Sequence, residues 1–179
     1  MKISVAAYGF IAISIVFVTI FMSTEARAQV LDRPLSLQVL ASQLNTPEAI
    51  AKYMWRHFQV ESDRAQFGRE EKWQSPEEFL TTRRGDCEDF ALFAQQVLKL
   101  NGISSFLLNV YSDKTAHTVC VFKEGGFYHV IDGTEVIRTK ASSLDGLISE
   151  INPFWRESAI VRASESSDGG KILARFGRS

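Results

Sequence analysis

Cys87, His117 and Asp132 are the residues whose types and placement in this 179-residue chain could perform covalent chemistry. Cys87 lies in Arg84-Gly85-Asp86-Cys87-Glu88-Asp89-Phe90-Ala91, which reads as a loop turning into a helix with the cysteine on its first residue. Asp86 is a strong N-cap type, and Asp89 at the third helical position sets a carboxylate near the exposed amides. A thiol in that place feels the positive end of the helix dipole, which favours the thiolate, the form that attacks a carbonyl carbon. An imidazole from His117 could take up and return the proton. A carboxylate from Asp132 could hold the ring in one tautomer and stabilise the imidazolium. The backbone amide of Cys87 would be one oxyanion donor, with the Gln74 side-chain amide or the Trp73 indole N–H as candidates for the second. Singly, each residue has a plainer reading as a buried small hydrophobe, a packed histidine or a turn aspartate. The three together carry the chemical one.

The elements that must position them are readable from periodicity. Phe90, Phe93, Ala94, Val97 and Leu98 recur at helical spacing after Cys87, and Asn101-Gly102 supplies the stop. Ser75-Pro76-Glu77-Glu78 is a helix-start signature with a capping box, and the helix it opens ends near Arg83-Arg84-Gly85. Thr46-Pro47-Glu48 opens another helix whose inward stripe is Ile50, Tyr53, Met54, His57 and Phe58, so His57 reads as structural. Pro34 to Leu44 predicts a short helix. Residues 61–72 are dense in charge and read as a solvated connection without chemistry.

From Ile103 the pattern turns strand-like: Ile103–Tyr111, Ala116–Phe122 and Phe127–Asp132. A two-residue loop at Gly125-Gly126 would pair Glu124 with Phe127, Val121 with Val130 and Val119 with Asp132. His117 shares a face with Val119, which makes Asp132 its diagonal neighbour within hydrogen-bond reach. A three-residue loop would reverse the parity and part them. Cys120 and His129 fall on the other face, Cys120 as a buried free thiol. A Cys87–Cys120 bridge would abolish the nucleophile, and this placement speaks against it. Ser143–Ile151 predicts a short helix, Asn152–Trp155 a segment packing back on the domain, and residues from Ser164 a mobile tail.

With 45% hydrophobic residues and a formal net charge of −1, the chain suits one globular domain, and with no basic run standing out there is no reason to expect nucleic acid as a partner. Lys2, the apolar run Ile3–Met22 and Ala26-Arg27-Ala28 match an export signal over residues 1–28. Without it, 18 basic and 20 acidic residues leave net −2 (20 less Lys2 and Arg27; 21 less Glu25). The rival reading is an uncleaved anchor, so membrane contact is expected only through this segment. Either way residues 29–163 form an exported domain, periplasmic or secreted, followed by the tail 164–179.

Residues 73–133, from Trp-Gln-Ser-Pro-Glu-Glu-Phe through Gly-Asp-Cys-Glu-Asp-Phe-Ala to Ala-His-Thr-Val and Val-Ile-Asp-Gly, resemble bacterial transglutaminase-like cysteine proteinases of the papain-like superfamily. The resemblance implies an α+β fold in which a nucleophile helix packs on an antiparallel β-sheet. Cys87 matches the nucleophile, His117 the base and Asp132 the third member. It implies a thiol-dependent hydrolase that cleaves a peptide or amide bond of a protein or peptide substrate through a thioester. Acyl transfer to an amine by the same triad, or a binding module on the same fold, are the alternatives. The best-known exported members depend on calcium held by acids flanking the cysteine, and Asp86 and Glu88 match those positions. Two carboxylates alone fall short of the six to eight oxygens that calcium takes, so no cofactor is required by the sequence.

Overall fold

The computed structural model describes residues 36–113, 115–164 and 169–177; the expected export signal, 1–28, lies outside them. Among the described residues, four short helices precede the helix that begins at Cys87. α1 is Leu37–Gln43, capped by Ser36, and α2 is Pro47–His57, capped by Thr46. β1, Gln59–Val60, is followed by α3, Asp63–Phe67, and then by α4, Pro76–Thr82. Arg83 closes α4 in the left-handed region (φ 57°), and β2, Arg84–Gly85, pairs in parallel with β1. α5 runs from Cys87 to Leu100. β3 Ser105–Tyr111, β4 Ala116–Glu124, β5 Phe127–Asp132 and β6 Glu135–Arg138 follow, then α6 Leu144–Ile151, β7 Glu157–Ala163 and β8 Gly170–Gly177. The last six strands form one antiparallel sheet in the order β6-β5-β4-β3-β7-β8.

Two apolar layers clothe this sheet. On one face Leu107, Cys120, Phe122, Ile131 and Val161 meet Phe90, Phe93, Ala94, Val97 and Leu98 of α5, joined by α1, α2 and α4. On the other face Leu108, Val119, Val121 and Val130 meet Leu147 and Ile148 of α6. The α+β reading is therefore correct, and so is the strand register. Gly125 and Gly126 both take positive φ (59° and 89°), the requirement of a two-residue hairpin loop, and pair Glu124 with Phe127 and Val121 with Val130.

Three expectations need correction. Residues 170–177 do not form a mobile tail, since they add β8 to the sheet edge beside β7. His57 is exposed and lies tilted against Tyr53 with ring centroids 4.5 Å apart, at the margin of the inward stripe. The capping box of α4 is half made, because Ser75 Oγ accepts from Glu78 N at 3.1 Å while the Glu78 carboxylate turns to Lys72. Among the described residues no helix is long and apolar enough to cross a membrane.

Phe79 is the peg between α4 and α5. Fully buried, it packs tilted against Phe58 at 4.3 Å and edge-on against Phe90 at 5.0 Å between ring centroids. Phe79→Ala removes a buried aromatic from a site that cannot collapse without moving both helices. It is expected to cost about 3–5 kcal/mol, read from the midpoint of urea unfolding; a loss under about 1 kcal/mol would show that α4 is not anchored through this ring.

Candidate active site

The end of the sheet that carries the site follows from connectivity. α5 ends at Leu100, and a short turn closed by Ile103 N donating to Leu98 O (2.9 Å) sends β3 back along it. The Tyr111 end of β3 therefore lies with the Cys87 end of α5. His117 is paired with Val110 at that end, and Asp132, the last residue of β5, runs out toward it. There His117 Nε2 and Asp132 Oδ1 are 2.7 Å apart. This bond and the negative charge of Asp132 raise the His117 pKa, and the charge of Glu88 adds to the rise. With Nε2–H donating to Asp132, Nδ1 is left as the basic nitrogen. Both side chains remain partly open, at 45% and 34% exposure.

By alternation His117 and Asp132 have the parity of Val119, Val121 and Val130, the face that α6 covers, whereas α5 covers the opposite face. The pair and the start of α5 thus stand at the same end of the sheet, on opposite faces of it. Glu88 marks the approach, because its field is felt at His117 while its Oε2 accepts from Cys87 Sγ at 3.2 Å.

Cys87 is a half-buried free thiol, and Cys120 is a fully buried one whose pKa burial pushes up to about 12. The peptide before Cys87 is fixed from three sides. Gln59 N donates to Arg83 O and Glu61 N to Gly85 O across the β1–β2 pair. Asp89, one turn into α5, accepts from Gln74 N at 2.8 Å and from Gln74 Nε2 at 2.6 Å. The approach is so close that a Cβ on Gly85 would stand 2.1 Å from Asp89 Oδ2.

This geometry overturns the second-donor expectation. Both amide hydrogens of Gln74 are committed, to Asp89 Oδ2 and to Arg84 O (2.8 Å), and the Trp73 indole donates to Glu71 Oε1 at 2.6 Å. Neither has a proton left for an oxyanion. Gln74 instead ties the segment before α4 to Asp89 of α5, and Cys87 N–H at the start of α5 is among the amide donors that a helix leaves unpaired.

The acids near Cys87 go beyond the two singled out by sequence. Asp86 stands at the N-cap of α5 but makes no capping bond. Instead it joins Asp63, Glu71, Glu88 and Asp89, whose oxygens fall in overlapping groups with mutual separations within 4.8 Å. Asp63 and Glu88 are 1% and 5% exposed, and Asp63 Oδ1 and Asp86 Oδ1 are buried without a hydrogen-bond partner. Burial is the main cause of raised pKa values here, taking Asp63 to about 6, Asp89 to about 7 and Glu88 to about 11. At Glu88 a hydrogen bond with Asp86 and the nearby Cys87 and Asp86 charges add to it. Hard oxygens with orphaned lone pairs and suppressed ionisation are what a divalent cation such as calcium would satisfy. Sequence reasoning missed Asp63, which sits in a stretch whose charge density reads as solvated; Ser62 ahead of it, a helix cap, is the one signal of order there.

An antiparallel sheet carrying a His-Asp pair, with a helix presenting a cysteine at the same end, defines the transglutaminase-like class. The sequence pattern of the transglutaminase-like domain family matches residues 34–144, and the chain belongs to that family. It is 33% identical over 61 residues to a UPF0252 protein of Archaeoglobus fulgidus, a match covering 33% of this chain and only 20% of that protein. A calcium-bound structure of Legionella pneumophila LapG is similar with a TM-score of 0.53 and 19% identity, over 87% of this chain and 88% of LapG. An EGTA-treated structure of the same protein gives 0.49 and 18%, over 76% and 77%. At these identities the likeness is one of fold.

Folding raises these carboxyl pKa values above their ordinary 3.8 and 4.5, so the folded state binds more protons than the unfolded one. Their contribution to stability is greatest below about pH 4 and is lost as pH rises toward the folded values. Without added divalent cation, the melting temperature is expected to fall by several degrees between about pH 5 and about pH 7.5, and Asp63→Asn with Glu88→Gln to flatten that slope. Thermal scans across pH check it; a slope of opposite sign would refute the assignment.

Proposed function

We propose that this protein is an exported thiol hydrolase that cleaves a peptide or amide bond through Cys87, His117 and Asp132. The observation that carries the reading is the His117–Asp132 bond of 2.7 Å, built at the end of the sheet where α5 begins with Cys87. The Cys87 thiol passes its proton to His117 Nδ1, and the sulfur adds to the carbonyl carbon. The oxyanion formed draws on Cys87 N–H and the α5 dipole. As the C–N bond breaks, the imidazolium returns the proton to the departing amine, and a thioester remains. His117 then takes a proton from water, hydroxide adds to the thioester, and the thiol leaves reprotonated. Asp132 holds Nε2–H throughout and stabilises the imidazolium.

Calcium belongs to the same reading. Asp63, Asp86 and Glu88 would hold it, with Glu71 at the margin, and LapG, of similar fold, has a calcium-bound structure. When bound, the ion supplies positive charge that lets these acids ionise and fixes the loop before Cys87. Export rests on the 1–28 pattern of the sequence.

Iodoacetamide should alkylate Cys87 in the wild-type protein roughly ten-fold faster than in His117→Ala, with Asp132→Asn in between and buried Cys120 as the unreactive reference. Fluorogenic peptide amides should be hydrolysed by wild type in calcium and not by Cys87→Ala, whose circular dichroism is unchanged. Equal alkylation rates in wild type and His117→Ala would overturn the hydrolase reading in favour of a binding module.

A further inference from the structure

A groove of about 340 Å³ lies between α2 and β6, lined by Glu48, Ala51, Lys52, Trp55, Thr134 and Val136. Its floor is set by the core, since Ile50 and Met54 on the inner side of α2 are fully buried and Val136 packs against the same cluster. Its far end is closed by Arg138, which bonds Glu48 Oε1 at 2.6 Å and also pairs with Glu124. Its near end is Thr134, two residues beyond Asp132 in the tight β5–β6 hairpin where Asp132 pairs with Glu135. Trp55 forms the outer wall and is 69% exposed. Val60, 81% exposed, lies five residues on, in the strand paired with Arg84-Gly85 immediately before the nucleophile loop.

A single exposed hydrophobe is ordinary on a protein surface. Trp55 differs by its place. It walls a groove that reaches Thr134, in the turn of the hairpin carrying Asp132, and the groove carries an apolar wall with one hydroxyl and charged ends, the make-up of a side-chain subsite. A tryptophan held there on a rigid helix offers a large contact area at little entropic cost.

We propose that the Trp55 groove is the specificity subsite of the enzyme and takes a large apolar side chain, aromatic or long aliphatic, of an extended peptide substrate. The inference rests on the hydrolase reading of the triad. An extended chain crossing the sheet rim at Cys87 places side chains alternately toward and away from the surface, and one of them drops between Trp55 and Val136. The groove then contributes to substrate recognition and leaves the thiol's own reactivity untouched.

The test uses peptidyl chloromethyl ketones of three residues, all glycine or with one phenylalanine at each position in turn. The second-order rate of Cys87 alkylation is measured by intact mass in wild type, Trp55→Ala and Trp55→Phe. One phenylalanine placement should speed wild-type alkylation at least ten-fold over the all-glycine reagent. Trp55→Ala should abolish that preference with the all-glycine rate unchanged, and Trp55→Phe should retain part of it. No preference at any position, or a preference that survives in Trp55→Ala, overturns the proposal. So does a Trp55-dependent dimer in sedimentation without reagent preference, which would assign the groove to a second copy. The His117 dependence of the all-glycine rate reports separately on the triad, so failure of the subsite and failure of the hydrolase reading are distinguishable.

Discussion

The site depends on one buried carboxylate. Asp89 accepts two hydrogen bonds from Gln74, one from its backbone and one from its side chain, and so ties the residues before α4 to the first turn of α5. The cost of burying a charge-bearing group is offset by these donors, which oppose the upward shift that burial imposes on its pKa. The same contact dictates Gly85, because any Cβ there would collide with Asp89. Gly85 in turn lies in the β1–β2 pair, so the path of the chain into Cys87 is set by Asp89, Gln74 and the Gln59–Val60 strand acting together. The start of α5 at Cys87 is located by groups elsewhere in the chain.

A second consequence is crowding of negative charge. Asp86 does not cap α5 and Glu88 does not face solvent, the two roles that helix physics alone would assign them. Both turn inward toward Asp63. Burial raises the pKa of Asp63 and of Glu88, and Glu88 accepts a hydrogen bond from the Cys87 thiol. That arrangement is poorly suited to catalysis by itself and well suited to a divalent cation, whose charge would exceed what the helix dipole offers. The acidic cluster and the nucleophile are therefore one unit, joined through Glu88.

The legible parts of this chain were the local ones. α5 announced itself through period, cap position and the Asn101-Gly102 stop, and the His117–Asp132 contact followed from the two-glycine loop, since a hairpin's register is fixed by its turn. β8 was illegible because Gly170–Gly177 is a strand only by pairing with β7, a contact that its own residues do not encode. Gln74 and Trp73 were placed near the cysteine with reason, but a sequence does not reveal where amide and indole hydrogens are already spent. Asp63 failed for the converse reason: a charge in a charged run looks solvated until tertiary packing encloses it.

The position of the His-Asp pair at the ends of its strands is what reconciles stability with chemistry. Further along β4, Val119, Cys120, Val121 and Phe122 are sealed between α5 and α6, and a histidine there would be desolvated and out of a substrate's reach. At Ala116 the strand is exposed and offers no packing to orient a ring. His117 is the intermediate case, with one ladder partner in Val110, one carboxylate in Asp132 and nearly half its side chain open. Its parity turns it away from the face that α5 covers. A site built on a rim is flanked by whatever elements end there, which for this fold are the β1–β2 pair on the side of Cys87 and the β5–β6 hairpin on the side of Asp132.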